Sequence, residues 1–92
     1  MKKLAVSKHF QKQLKKLSRQ DQYKTASVLK SFLEFLEGAE MPAGLGFKKI
    51  NGNKYEIRVD IRNRIVMKLE EDTFVCHLVG KHDAVNRYVK ED

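Results

Sequence analysis

The stretch KYEIRVDIRNRIVMKLEEDTFVCHLVG, residues 54–80, decides the fold class, because its apolar residues recur at every second position. Tyr55, Ile57, Val59 and Ile61 alternate with Glu56, Arg58, Asp60 and Arg62, which predicts a strand with one apolar and one charged face. Ile65, Met67 and Leu69 carry the apolar face onto the next strand. Glu71-Asp72 then turns the chain, and in a last strand Phe74, Cys76 and Leu78 oppose Val75, His77 and Val79. Because it is apolar on both faces, that strand is expected at the centre of the sheet, with helix covering one side. Upstream, Phe47 to Ile50 reads as a short strand, joined to the first by the turn signal Asn51-Gly52.

Towards the N-terminus the period changes. Phe10, Leu14 and Leu17 fall at helical spacing among Lys8, Lys12, Lys15 and Lys16, giving a short basic amphipathic helix from Ser7 to about Leu17. Ser18 with Asp21 three residues on resembles a capping box and opens a second helix. There Leu29, Leu33 and Leu36 form one apolar stripe and Val28, Phe32 and Phe35 an adjacent one. Gly38 ends the helix, and a loop runs to Gly46 through Pro42, the only proline. After the last strand, Asp83 and Asn86 are placed to cap a short helix containing Val85, Tyr88 and Val89.

The expected fold is therefore α+β: two N-terminal helices packed on one face of a mainly antiparallel four-stranded sheet, then a short C-terminal helix. Its expected core is Phe10, Leu14, Leu29, Leu33, Phe35, Ile57, Val59, Met67, Phe74 and Leu78. At 92 residues the chain reads as one domain spanning 1–92, and 41% hydrophobic with 34% charged residues is a folding composition rather than a disordered one. Met1-Lys2-Lys3-Leu4 leads into polar sequence and no run reaches membrane-span length, so the expected compartment is the cytoplasm with no membrane partner. One cysteine, with no Cys/His pairs at ligand spacing, excludes an internal disulfide and a structural zinc site. Cys76, in phase with Phe74, reads as a small buried hydrophobe, and His77 beside it as a histidine satisfied within the core.

The net charge of +7, from 19 Lys and Arg against 12 Asp and Glu, fits a polyanionic partner, or a solvated lysine-rich surface. Its distribution is more informative. Strand alternation sends Lys48 or Lys49, Lys54, Arg58, Arg64 and Lys68 towards one open concave face, where like charges repel unless an anion lies between them. The alternative is that Glu56, Asp60 and Glu70 neutralise them in cross-strand pairs.

Two helices, a glycine-containing loop, Tyr55-Glu56-Ile57-Arg58-Val59, Arg64-Ile65-Val66-Met67 and Val79-Gly80-Lys81-His82-Asp83 followed by Tyr88 together resemble the RelE/ParE toxin superfamily over nearly the whole chain. The resemblance implies the toxin of a type II toxin–antitoxin module, with a cognate acidic antitoxin as partner. In the RelE and YafQ-like branch it implies a metal-independent, cofactor-free endoribonuclease that cuts mRNA on the ribosome through attack by the 2′-hydroxyl. Arg64 then matches the arginine that stabilises the phosphate, and Arg58 a basic strand residue, although its spacing to Arg64 is one residue shorter than in the RelE type. His82 matches a general-acid position, which suits an imidazole titrating ordinarily near about 6.5. Its other reading is a cap at the strand end. Lys48, Lys49, Lys54 and Lys81 are the implied RNA-binding cations, and Tyr88 either stacks on a base or belongs to the core. Lys12, Lys15 and Lys16 either touch ribosomal RNA or are simply solvated. The ParE branch shares the fold but inhibits DNA gyrase, so a gyrase inhibitor, or an inactive member that binds RNA or antitoxin, is the alternative function.

Overall fold

A computed structural model describes residues 2–90. Met1, Glu91 and Asp92, at the ends of the expected domain, and the Val89 side chain, expected on the last helix, lie outside the described residues. The elements are β1 (Lys3–Val6), α1 (Lys8–Lys16), α2 (Arg19–Leu36), β2 (Lys48–Asn51), β3 (Lys54–Arg58), β4 (Asn63–Glu70), β5 (Thr73–Lys81) and α3 (His82–Lys90). They build an α+β fold on one sheet of order β1-β5-β4-β3-β2.

The sheet has five strands where the alternation predicted four. β1 pairs parallel with β5, Leu4 opposite Phe74 and Val6 opposite Cys76, while all other pairings are antiparallel. Only Leu4 of its four residues is even half-buried, so a four-residue strand with exposed neighbours leaves no periodic signal. β1 also makes β5 an interior strand, as its two apolar faces require. Beyond Val6 the outer edge of β5 is covered by α1, whose Gln13 Oε1 accepts the Val79 N–H at 3.0 Å.

Capping explains both N-terminal helices. The Ser7 hydroxyl accepts the Phe10 N–H at 3.0 Å and the Ser18 hydroxyl accepts the Asp21 N–H at 3.1 Å, each satisfying a donor that the first turn leaves open. On the sheet face towards these helices lies the main core: Phe10, Phe32, Leu45, Ile57, Ile65, Met67, Phe74, Cys76 and Val79. Leu14, Leu29, Phe35 and Val59 pack half-buried against it. Phe32 is its hub, with ring centroids 5.1 Å from Phe47, 5.4 Å from Phe74 and 6.1 Å from Phe35. Burial raises the Cys76 thiol to about 12, so it packs as an inert hydrophobe.

Three expectations need correction. Leu33 is 39% exposed, because the buried stripe of α2 runs through Thr25, Val28, Leu29 and Phe32. β3 ends at Arg58: residues 59–62 form a turn in which the Asp60 carboxylate accepts the Arg62 and Asn63 N–H groups at 2.8 Å each, leaving Ile61 93% exposed. Strand alternation alone cannot see an Asx turn that interrupts it. Finally, Val66 opposes Leu78 while Met67 opposes Cys76, so His77 is an extra residue in β5. This bulge reverses the alternation. Leu78 therefore joins Val66 and Val85 in a second, smaller core on the opposite face, and Val79 takes its place in the main one.

Phe32→Ala should cost about 3–5 kcal/mol, a large part of what a domain this size possesses, whereas Leu33→Ala should cost under about 1 kcal/mol. Urea unfolding of both variants checks the order. Burial pushes the Asp60 carboxyl up, but the Asn63 and Arg62 N–H groups and Lys24 outweigh it and hold the group below 3.8. A depressed carboxyl stabilises the fold above its unfolded value and loses that contribution as pH falls through the folded one. Asp60→Asn should thus be less stable than the wild type at pH ~7, and the gap should narrow below pH ~4, read from unfolding midpoints at both pH values.

Candidate functional site

The second core places α3 across the sheet face that alternation had left open. Val85 is buried against Val66 and Leu78, with Ile50 and Tyr88 packed around them. α3 packs close to the end of β5 here: a Cβ on Gly80 would reach van der Waals contact with the Ala84 Cβ, at 3.4 Å. The expected open concave surface is thereby divided, and the predicted cations fall into three groups.

Lys54 and Lys68 face each other across β3 and β4, and α3 closes over them. Lys54 is 3% exposed, its ammonium 4.9 Å from the centre of the Tyr88 ring, and Lys68 approaches the same ring at 5.9 Å. Cation–π attraction offsets part of the repulsion between two lysines in direct cross-strand register. Tyr88 is therefore a half-buried platform for protein cations, and Lys54 does not line the open surface.

Arg58 and Arg64 are likewise cross-strand partners, but their side chains diverge. Arg58 lies beside the loop at Gly46, whose backbone sits at φ +63°, and lines a surface groove with Ser27, Pro42 and Gly44. Arg64 turns the other way, its Nη1 donating to Glu56 Oε1 at 3.2 Å. Lys48, opposite Glu56 in the β2–β3 register, brings Nζ to the same oxygen at 3.2 Å.

Lys48, Glu56 and Arg64 form one side of a cleft of about 300 Å³ between the sheet and α3. Lys49, Ile50, Val85, His82 and Asn86 complete its lining. His82 is the first residue of α3 rather than the end of a strand, and Asn86, one turn later, places its amide nitrogen 3.0 Å from Nε2. In that orientation the amide donates to Nε2, so the neutral ring carries its proton on Nδ1. Lys81 is exposed at the end of β5, beside His82.

Of the predicted site residues, Lys48, Lys49, Arg64 and His82 thus line one cleft, with Lys81 next to His82, while Arg58 lines a neighbouring groove and Lys54 lies under α3 against the ring of its Tyr88. Glu56 and Asn86 join them without having been singled out as site residues. The i, i+4 spacing of His82 and Asn86 was readable on a helix; the descent of Glu56 to the cleft floor depends on α3 folding back. The cleft offers an anion three cations, Lys48, Lys49 and Arg64, and the imidazole of His82. Among the described residues no three His, Cys, Asp or Glu side chains converge as a metal-ligand set. No helix among them is long and apolar enough to cross a membrane.

No protein-family model and no curated protein sequence matches the chain. Solved structures do. YafQ from E. coli is similar over 92% of this chain and 98% of its own, at 18% identity and a TM-score of 0.65. The E. coli DinJ–YafQ toxin–antitoxin complex is similar over 91% of this chain and 96% of the matched one, at 16% identity and TM-score 0.72. The RelB–RelE antitoxin–toxin complex of Methanococcus jannaschii is similar over 91% and 96%, at 22% identity and TM-score 0.68. Helices, sheet and C-terminal α3 together give this chain the fold of the RelE and YafQ toxins.

Proposed function

We propose that this chain is the toxin of a type II toxin–antitoxin module, acting in the cytoplasm as a metal-independent endoribonuclease on ribosome-bound mRNA. The observation that carries the reading is the convergence of Arg64, Lys48 and His82 on one cleft in this fold. Phosphodiester cleavage by a neighbouring hydroxyl needs two services that these residues can supply: charge stabilisation at phosphorus and a proton for the leaving oxygen.

In this mechanism the 2′-hydroxyl passes its proton to solvent water as its oxygen bonds to phosphorus, and the bond from phosphorus to the 5′-oxygen breaks. Arg64 directs its guanidinium donors at the non-bridging oxygens, where negative charge builds up, and Lys48 adds a second cation. His82, when protonated, donates from Nδ1 to the departing 5′-oxygen, while the Asn86 amide turns its oxygen to accept from Nε2. Lys49 and Lys81 flank the cleft and bind neighbouring phosphates, and the exposed Lys12, Lys15 and Lys16 of α1 are available to ribosomal RNA. Arg58, one groove away, extends the basic surface along the RNA. Tyr88 and Lys54 support the reading from beneath, by holding α3 and therefore His82 in place.

The antitoxin is expected to be an acidic segment that docks on the helices and covers the basic cleft, since a cation-lined site recruits an anionic partner. Both solved complexes named above pair a protein of this fold with an antitoxin.

Arg64→Ala should lower cleavage of mRNA on translating ribosomes by ~10²-fold or more, the loss seen when an oxyanion-type donor is removed. His82→Gln, which cannot protonate a leaving oxygen, should lower it by ~10² to 10⁴-fold. The wild-type rate should decline on the alkaline side, and His82→Gln should flatten that limb. Wild-type rates in His82→Gln would refute the general-acid role. Growth arrest without any RNA cleavage would favour the gyrase-inhibitor alternative.

A further inference from the structure

The charged residue in the cleft without a role in the chemistry above is Glu56. It is a carboxylate 6% exposed, held between Lys48 and Arg64 and next to the small apolar cluster of Val66, Leu78 and Val85. Burying a charged pair is a weak source of stability, because desolvation consumes much of the attraction and an apolar residue of similar volume often serves a fold equally well. Net stability alone therefore does not explain a carboxylate here; what it touches does.

Resting on the ribonuclease reading of this cleft, we propose that Glu56 is a positioning residue, a fixed anchor that aims Arg64 and Lys48 at the reacting phosphate. Both cations meet the same atom, Oε1, at 3.2 Å. Arg64 spends one donor, through Nη1, out of the five on its guanidinium, and Lys48 one of its three, so the rest remain for an anion. The anchor has something to resist. Arg58 stands directly opposite Arg64 in the β3–β4 register, and without Glu56 the two guanidinium groups would share one stretch of surface as like charges. With it, Arg64 is drawn into the cleft while Arg58 lies against the loop at Gly46.

The same contacts argue against Glu56 as the base that takes the 2′-hydroxyl proton. A proton on its carboxylate would loosen both ion pairs, and with them the aim of Arg64 and Lys48, at the moment phosphorus gains charge. A fixed anion beside the phosphate site also has a cost: it repels the bound substrate's phosphate. Positioning thus predicts a signature that lost packing does not share, in which removing the charge slows cleavage yet leaves binding unchanged or tighter.

The test compares the wild type with Glu56→Gln and Glu56→Asp. Single-turnover cleavage of mRNA on translating ribosomes is measured beside affinity for the same ribosomes carrying mRNA with a 2′-deoxy residue at the cleavage position. Glu56→Gln should cleave about 10-fold or more slowly, in line with misplaced catalytic groups, with equal or tighter binding. Glu56→Asp, which keeps the charge on a shorter arm, should recover part of the rate. A wild-type rate in Glu56→Gln, or parallel loss of rate, binding and thermal stability, overturns the proposal. Should Glu56→Gln fail to fold, Glu56→Asp decides: slower cleavage at unchanged affinity supports positioning and full activity overturns it. If the wild type cleaves no RNA, the ribonuclease reading fails separately. The Arg64 Nε–H resonance then decides the anchor, which is supported if its order is lost in Glu56→Gln and overturned if nothing changes.

Discussion

One carboxylate oxygen, Glu56 Oε1, receives both Lys48 and Arg64 at 3.2 Å, and the charged face of the sheet is arranged around it. The cross-strand register places like charges opposite each other twice, Lys54 with Lys68 and Arg58 with Arg64. Each pair is handled differently. The lysines lie under α3 against the Tyr88 ring, and the arginines are separated, one drawn into the cleft by Glu56 and the other turned towards the loop. The cleft with its two partly engaged cations is what remains between these arrangements.

That face exists because the sheet is covered unequally. Helices α1 and α2 bury the aromatic side, centred on Phe32, and provide most of the apolar burial. Among the described residues the other side holds Val66, Leu78 and Val85 as a buried cluster, enough to seat the nine-residue α3 across part of the sheet. The bulge at His77 makes this possible by turning Leu78 to the side of Val66. Packing, bulge and cleft are therefore one chain of causes: the small core seats α3, and α3 carries His82 to the cleft opposite Arg64.

Much of this was legible in the residues. Ser18 marks the start of the second helix because capping is local chemistry, the helical spacing of Phe10, Leu14 and Leu17 marks the first, and Ile57, Met67 and Phe74 lie in the core because strand alternation reports a face directly. Leu33 and Ile61 were misread for the same reason in two settings: an apolar residue adjoining a stripe looks buried until the helix phase or a turn removes it. Leu78 and Val79 exchanged faces through a one-residue bulge, which sequence period cannot reveal. β1 escaped notice because four residues with little burial have no period to read. At the site, the family resemblance points to Arg64 and His82, and alternation allows the ion pairing by Glu56 that the structure shows. The burial of Lys54 and the turn of Arg58 away from Arg64 depend on α3 and on the Gly46 loop, neither of which is local to those residues.

The central claim is that the cleft between Arg64, Lys48 and His82 breaks RNA by attack of the neighbouring 2′-hydroxyl. The chemistry of the product ends tests it most directly, because that attack forms a cyclic phosphate and releases a free 5′-oxygen whichever residue assists. Incubating the protein with translating ribosomes and analysing the cut mRNA should give 2′,3′-cyclic phosphate or 3′-phosphate ends upstream and 5′-hydroxyl ends downstream. Uncut mRNA, or fragments with 3′-hydroxyl and 5′-phosphate ends, would contradict it.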